Sequence, residues 1–73
     1  MAHRGDDMYP RIRALREDRD FTQKDLAEVL KVSQATYSRY ESGALDIPSQ
    51  SLIRLAQFYK VSLDYLLGLS DSV

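Results

Sequence analysis

The sequence predicts an all-α chain of five short helices, and three observations predict it. Apolar residues recur at three- and four-residue spacing over most of the length. No stretch alternates with period two for long enough to make a strand, so no sheet is expected. Ser and Thr recur just ahead of these periodic runs, where helices begin, and Gly stands after two of them, where helices end.

Tyr9-Pro10-Arg11 is a good opening turn, since Pro at the first helical position forfeits only an amide that had no partner. Ile12 and Leu15 give this helix its apolar side, Asp18–Asp20 closes it, and Phe21 is expected to tuck into the core. Thr22-Gln23-Lys24-Asp25 has the form of an N-cap followed three residues later by an acid. Leu26, Ala27 and Leu30 are the buried side of the second helix. Ser33 caps a third helix that runs to Gly43, with Tyr37 and Tyr40 on one face. After a loop at 44–48, Ser49 is expected to cap a fourth helix. Its Leu52, Leu55, Ala56 and Tyr59 form a stripe that Ile53 and Phe58 widen until the helix is mostly buried. Ser62 caps a last short helix over 63–67, ahead of Gly68.

Composition narrows the function classes. Seventy-three residues make one small domain, able to bury about 60% of its unfolded surface. With 44% hydrophobic and 29% charged residues, the chain is too apolar for a disordered tail. The absence of Cys excludes disulfides, thiolate zinc sites and thiol catalysis. A single His, His3, leaves almost nothing for a metal site or a Ser-His-Asp triad. No Gly-rich phosphate loop is present, so neither an enzyme nor a cofactor or metal is expected. The charged N-terminus has no apolar stretch behind it and no run is long enough to span a bilayer, which makes the cytoplasm the expected location. Residues 1–8 are expected to be a loosely ordered tail, 9–69 the domain and 70–73 a short C-terminal tail. Arg4-Gly5-Asp6 spells a cell-adhesion tripeptide and is read as chance.

Ten Lys and Arg balance eleven Asp and Glu, for a net charge of −1, so any case for nucleic-acid binding has to be local. The local case lies in residues 22–43. Two helices of about eight residues joined by Lys31-Val32 must turn a tight corner. Ala27 allows them to approach closely, and Val32 fills the inside of the corner. With Tyr37 and Tyr40 as anchors, Gln34, Ala35, Ser38 and Arg39 face outward. Arg forks onto guanine O6 and N7, Gln onto adenine N6 and N7, and Ala touches a thymine methyl.

Residues 12–68 resemble the Cro/repressor-like helix-turn-helix family, the XRE-like regulators, through TQKDLA, VSQATYSRYESG, LIRLAQFYKVS and LDYLLG in order. The resemblance implies a five-helix, lambda-repressor-like DNA-binding domain whose third helix enters the major groove of double-stranded DNA. It implies base contacts from Gln34, Ala35, Ser38 and Arg39, and backbone contacts from Gln23, Ser33, Thr36 and Ser42. It also implies an ion pair between Arg16 and Glu41 across the first and third helices. Two positions depart from the family pattern: Lys31 stands where Gly is usual, and Tyr37 replaces an aliphatic residue, so its hydroxyl needs a partner. One helix reads only a few base pairs, so a homodimer on a palindromic operator is expected, acting as a repressor of transcription. Leu63, Tyr65 and Leu69 are the candidate dimer interface. The alternative is a protein-interaction module of the same fold, such as the antitoxin of a toxin–antitoxin pair, whose binding would survive salt that abolishes DNA binding.

Overall fold

Pro10 stands at the start of the first helix, where its missing N–H has no intrahelical partner to lose. The computed structural model describes residues 9–71; the proposed N-terminal tail at 1–8 and its Arg4-Gly5-Asp6 triplet lie outside the described residues, as do 72 and 73. Five helices follow in order: α1 Pro10–Asp18, α2 Gln23–Leu30, α3 Gln34–Ser42, α4 Ser49–Tyr59 and α5 Leu63–Leu66. There is no strand among the described residues. This is the five-helix, lambda-repressor-like arrangement.

One core joins all five helices. Ile12 and Leu15 of α1 meet Leu26, Ala27 and Leu30 of α2 and Tyr37 and Tyr40 of α3, with Leu52, Leu55, Ala56 and Tyr59 of α4 and Leu66 of α5 completing it. Tyr37 and Tyr40 pack edge to face with centroids 6.4 Å apart. Phe21 lies on the margin of the core, its ring 5.3 Å from Phe58 and 6.5 Å from Tyr59.

Four of the five helix ends share one device. Asp20, Lys31, Lys60 and Gly68 all have positive φ, at 61°, 60°, 59° and 81°. At each, the next residue's N–H reaches five residues back: Phe21 to the Arg16 carbonyl, Val32 to Ala27, Val61 to Ala56 and Leu69 to Asp64. These are Schellman closures, and three of the four place a residue with a Cβ where Gly is the unstrained choice. Lys31 therefore takes the left-handed conformation itself, rather than a different turn replacing it.

The α2–α3 and α4–α5 corners are also built alike. Lys31-Val32-Ser33 and Lys60-Val61-Ser62 share sequence and closure, and Ser33 and Ser62 each accept from the backbone N–H three residues on. Ala27 and Ala56, both buried, receive the two Val N–H groups. Tyr37 and Leu66, each four residues after its Ser cap, are fully buried.

Two expectations for α4 need correction. Ser49 does not cap it: Pro48 holds the N-cap position, and its carbonyl accepts from the Ser51 and Leu52 N–H groups. Pro48, with φ near −60° and ψ 149°, sets the entry angle, and Ser49 becomes the first helical residue. Ile53 and Phe58 do not widen the buried stripe, being 47% and 38% exposed. At 100° per residue they sit about 110° to either side of the line through Leu52, Leu55, Ala56 and Tyr59. The end of α5 differs by one residue, with Leu67 as C-cap rather than last helical residue.

Candidate nucleic-acid interface

The third helix is fixed at both ends by its own small polar residues. At its start the Ser33 hydroxyl accepts from the Thr36 N–H at 3.0 Å and donates to Thr36 Oγ1 at 2.9 Å. Because Thr36 Oγ1 is an acceptor there, its own hydrogen remains to be donated outward. At its end Ser42 Oγ donates to the Arg39 carbonyl and accepts from the Ala44 N–H, beside the left-handed Gly43. Ser33 and Ser42 thus already act as caps, and Ser42 has the less freedom to reach a second partner.

Between these caps the helix has two distinct faces. Tyr37, Tyr40 and Glu41 are buried, whereas Gln34, Ala35 and Arg39 are exposed and Ser38 is half-buried beside them. Residues 34, 35, 38 and 39 make one stripe at helical spacing, free of carboxylates. The one acid of α3, Glu41, points inward and is 2% exposed.

Glu41 organises the inner side. Its Oε2 accepts from Arg16 Nε at 2.7 Å and from the Tyr37 hydroxyl at 2.6 Å. Its Oε1 accepts from Arg16 Nη2 at 3.1 Å and from the Gln23 side-chain amide at 3.2 Å, with Arg13 Nε at 3.6 Å. Four hydrogen bonds fill the lone-pair sites of a buried carboxylate. Burial opposes its charge, but the donors Arg16, Tyr37 and Gln23 outweigh burial and hold the carboxyl below its ordinary value of 4.5. The Arg16 guanidinium is held above its usual range by the bond to Glu41, against the opposing effect of desolvation. Burial, with the bond to Glu41 added, pushes the Tyr37 phenol far up. The nearby Tyr59 hydroxyl, buried without a hydrogen-bond partner among the described residues, is pushed up to about 12 by burial and the Glu41 charge. Arg16 Nη1 also donates to the Phe21 carbonyl at 3.0 Å, so one side chain ties α1 to both the α1–α2 turn and α3.

The second helix presents its N-terminus beside this hub. Thr22 Oγ1 accepts from the Asp25 N–H and Asp25 Oδ2 from the Thr22 N–H, a capping box that leaves the Gln23 and Lys24 N–H groups without an intrahelical acceptor. That box also holds the Asp25 carboxyl below the usual range. Gln23, half-buried, is the first residue of the helix.

This arrangement of α2, a tight left-handed corner and α3 is the one described by the helix-turn-helix family model that matches residues 12–66. The chain belongs to this helix-turn-helix family. It is 39% identical over 61 residues to the uncharacterized HTH-type transcriptional regulator YobD of Bacillus subtilis, a match that covers 84% of this chain and 54% of the relative. It is 38% identical over 58 residues to the HTH-type transcriptional regulator ImmR of the same organism, covering 80% and 46%. With the cryptic phage CTXphi transcriptional repressor RstR of Vibrio cholerae it shares 34% over 62 residues, covering 85% and 56%. The helix-turn-helix chain spans about half the length of the curated relatives it matches. No solved structure gives a significant match.

The structure brings most of the singled-out residues to one side. Gln34, Ala35, Ser38 and Arg39 share the outer stripe of α3, Ser33, Thr36 and Ser42 border it, and Arg16 meets Glu41 beneath it. Gln23 also donates to Glu41, and Arg13, whose sequence neighbours Glu17, Asp18 and Asp20 suggest only a mixed solvated face, comes within 3.6 Å of the same carboxylate. At the far end, Leu63 and Leu69 are 37% and 74% exposed, but Tyr65 is half-buried beneath Arg11, whose guanidinium lies 4.3 Å from its ring centre. Arg11 also donates to the carbonyls of Tyr65 and Ser70 and pairs with Asp71 at 2.7 Å, fastening residues 70 and 71 to α1. The periodicity of a helix gives no sign of such a clasp. Among the described residues no cluster of acids and His is fit to hold a metal, and no helix is long and apolar enough to cross a membrane.

Proposed function

We propose that the chain is a cytoplasmic, sequence-specific DNA-binding regulator that binds a short palindromic operator as a homodimer and represses transcription by occupying it. The observation that carries this reading is the outer stripe of α3: Gln34, Ala35 and Arg39 are exposed with Ser38 half-buried among them, and the one carboxylate of the helix, Glu41, is buried on the other side. Those side chains match the donors, acceptors and apolar edges of bases in a major groove. Gln23, Ser33, Thr36 and Ser42 surround the stripe with groups suited to the sugar–phosphate backbone, which sets register without reading sequence. Two relatives named as transcriptional regulators and one named as a phage repressor support the regulatory and repressive parts of the reading. The exposed Leu63 and Leu69 are the apolar surface offered to a second copy.

Selection of bound sites from random duplexes tests the proposal, because it yields sequence, half-site spacing and stoichiometry together. The expected product is an inverted repeat with half-sites about one helical turn apart. Arg39→Ala is expected to weaken binding to that product by about 1–3 kcal/mol and to relax preference at one base pair, while Gln23→Ala weakens all sequences alike. Variants that bind selected and random DNA as well as the wild type would overturn the assignment.

A further inference from the structure

We propose that Glu41 is a positioning residue for the DNA interface: its carboxylate holds the Gln23 side-chain amide nitrogen-end inward, so that the second N–H of that amide is presented to a backbone phosphate beside the first turn of α2. This rests on the reading of Gln23 as a phosphate contact.

The two ends of the Gln23 amide have nearly the same shape and opposite polarity, and a phosphate oxygen accepts hydrogen bonds only. A glutamine whose carbonyl faced the backbone of DNA would repel it. In this chain the choice of end is made by the protein before DNA arrives. Glu41 is an acceptor without a donor hydrogen, its Oε2 is occupied by Arg16 Nε and the Tyr37 hydroxyl, and its Oε1 takes Arg16 Nη2 and Gln23 Nε2. Turning the amide over would set its carbonyl against a carboxylate oxygen. The hold is rigid because Arg16 and Tyr37 fix Glu41 from α1 and α3, and Gln23 is half-buried at the first position of α2. The Gln23 and Lys24 backbone N–H groups, left open by the capping box, stand in the same first turn, so one anion could take both kinds of donor. Tyr37, the departure from an aliphatic residue, gains a role: its hydroxyl fixes the carboxylate that fixes the amide.

The test is a double-mutant cycle on affinity for a mixed-sequence duplex of about 20 base pairs, which is long enough for two half-sites, using wild type, Gln23→Ala, Glu41→Gln and the double variant at a temperature where circular dichroism shows all four folded. Glu41→Gln keeps the size of the side chain and ends its exclusive demand for a donor. Each single variant is expected to weaken binding roughly three- to ten-fold, about the range of one modest hydrogen bond, with the double variant no weaker than the weaker single. Equal losses from Glu41→Gln in both backgrounds would overturn the proposal. Should Glu41→Gln not fold, 15N relaxation of the Gln23 side-chain amide in the wild type decides. An order parameter close to that of the backbone, about 0.85, is expected; an amide as mobile as that of exposed Gln57 overturns it. A wild type that binds no duplex would bring down the proposed function, whereas a mobile amide in a chain that does bind DNA brings down only the role of Glu41.

Discussion

Lys31 and Lys60 take a backbone conformation that costs an L-residue roughly 1–2 kcal/mol, and each does so at an exposed helix end where the side chain gains nothing evident in return. Replacing Lys31 with Gly relieves that strain and gives back part of it through the greater freedom of the unfolded chain. The net expectation is a gain of up to about 1 kcal/mol, read as a melting temperature higher by several degrees in a domain of this size. Lys60→Gly should behave the same way. A Lys31→Gly variant that melts no higher than wild type would contradict the strain. Glu41 makes the second residue-scale prediction. Its folded carboxyl titrates below the unfolded value of 4.5, so its contribution is complete above that pH and is lost as pH falls through the folded value. Stability measured by urea unfolding should therefore decline below about pH 4.5, and Glu41→Gln, less stable at neutral pH, should show a shallower decline across that window. Part of this was legible in sequence: Lys31 stood out against an expected Gly, and Tyr37 was known to need a partner. That the partner is Glu41 follows the i, i+4 spacing within α3, whereas Gln23 as a further donor depends on α2 meeting α3, which no spacing within one helix encodes.

The two corners, each reading Lys-Val-Ser, are the elements that aim the rest. Val32 and Val61 close the preceding helix while Ser33 and Ser62 open the next, so the angle between helices is set within three residues. Ser33→Ala is expected to cost about 1 kcal/mol of stability, measured by thermal melting, and to free Thr36 Oγ1 from its bond. Caps and apolar stripes were readable because both are local, and they placed α2, α3 and α5 well. The errors came where position on a helix wheel meets the shape of the whole. Ile53 and Phe58 are as apolar as the buried residues of α4, yet Ile53 stays about half exposed and Phe58 is covered only in part, with Phe21 against its ring. Ser49 resembled a cap in sequence, but Pro48 already fixes the chain entry. The Arg11 clasp belongs to the same class: it joins residues some 60 positions apart, and only the folded chain brings them together. Arg11→Ala is expected to speed hydrogen exchange at the Leu69 amide, with little change at α3.

For the molecule as a whole, a net charge of −1 means that affinity for DNA must come from one side of the surface. If each protomer of a dimer neutralises about three phosphates, the logarithm of affinity should fall with the logarithm of salt at a slope of roughly −5. Fluorescence anisotropy with a labelled duplex across a salt series gives that slope directly. A slope near zero would point instead to a protein partner, the alternative use of this fold. An NMR titration of the 15N-labelled chain with the duplex obtained by selection locates the DNA-facing surface outright. The largest shifts are expected on Gln34, Ala35, Ser38 and Arg39, with a second group at Gln23 and Lys24. Shifts concentrated on α5, with α3 unmoved as DNA is added, would contradict that placement.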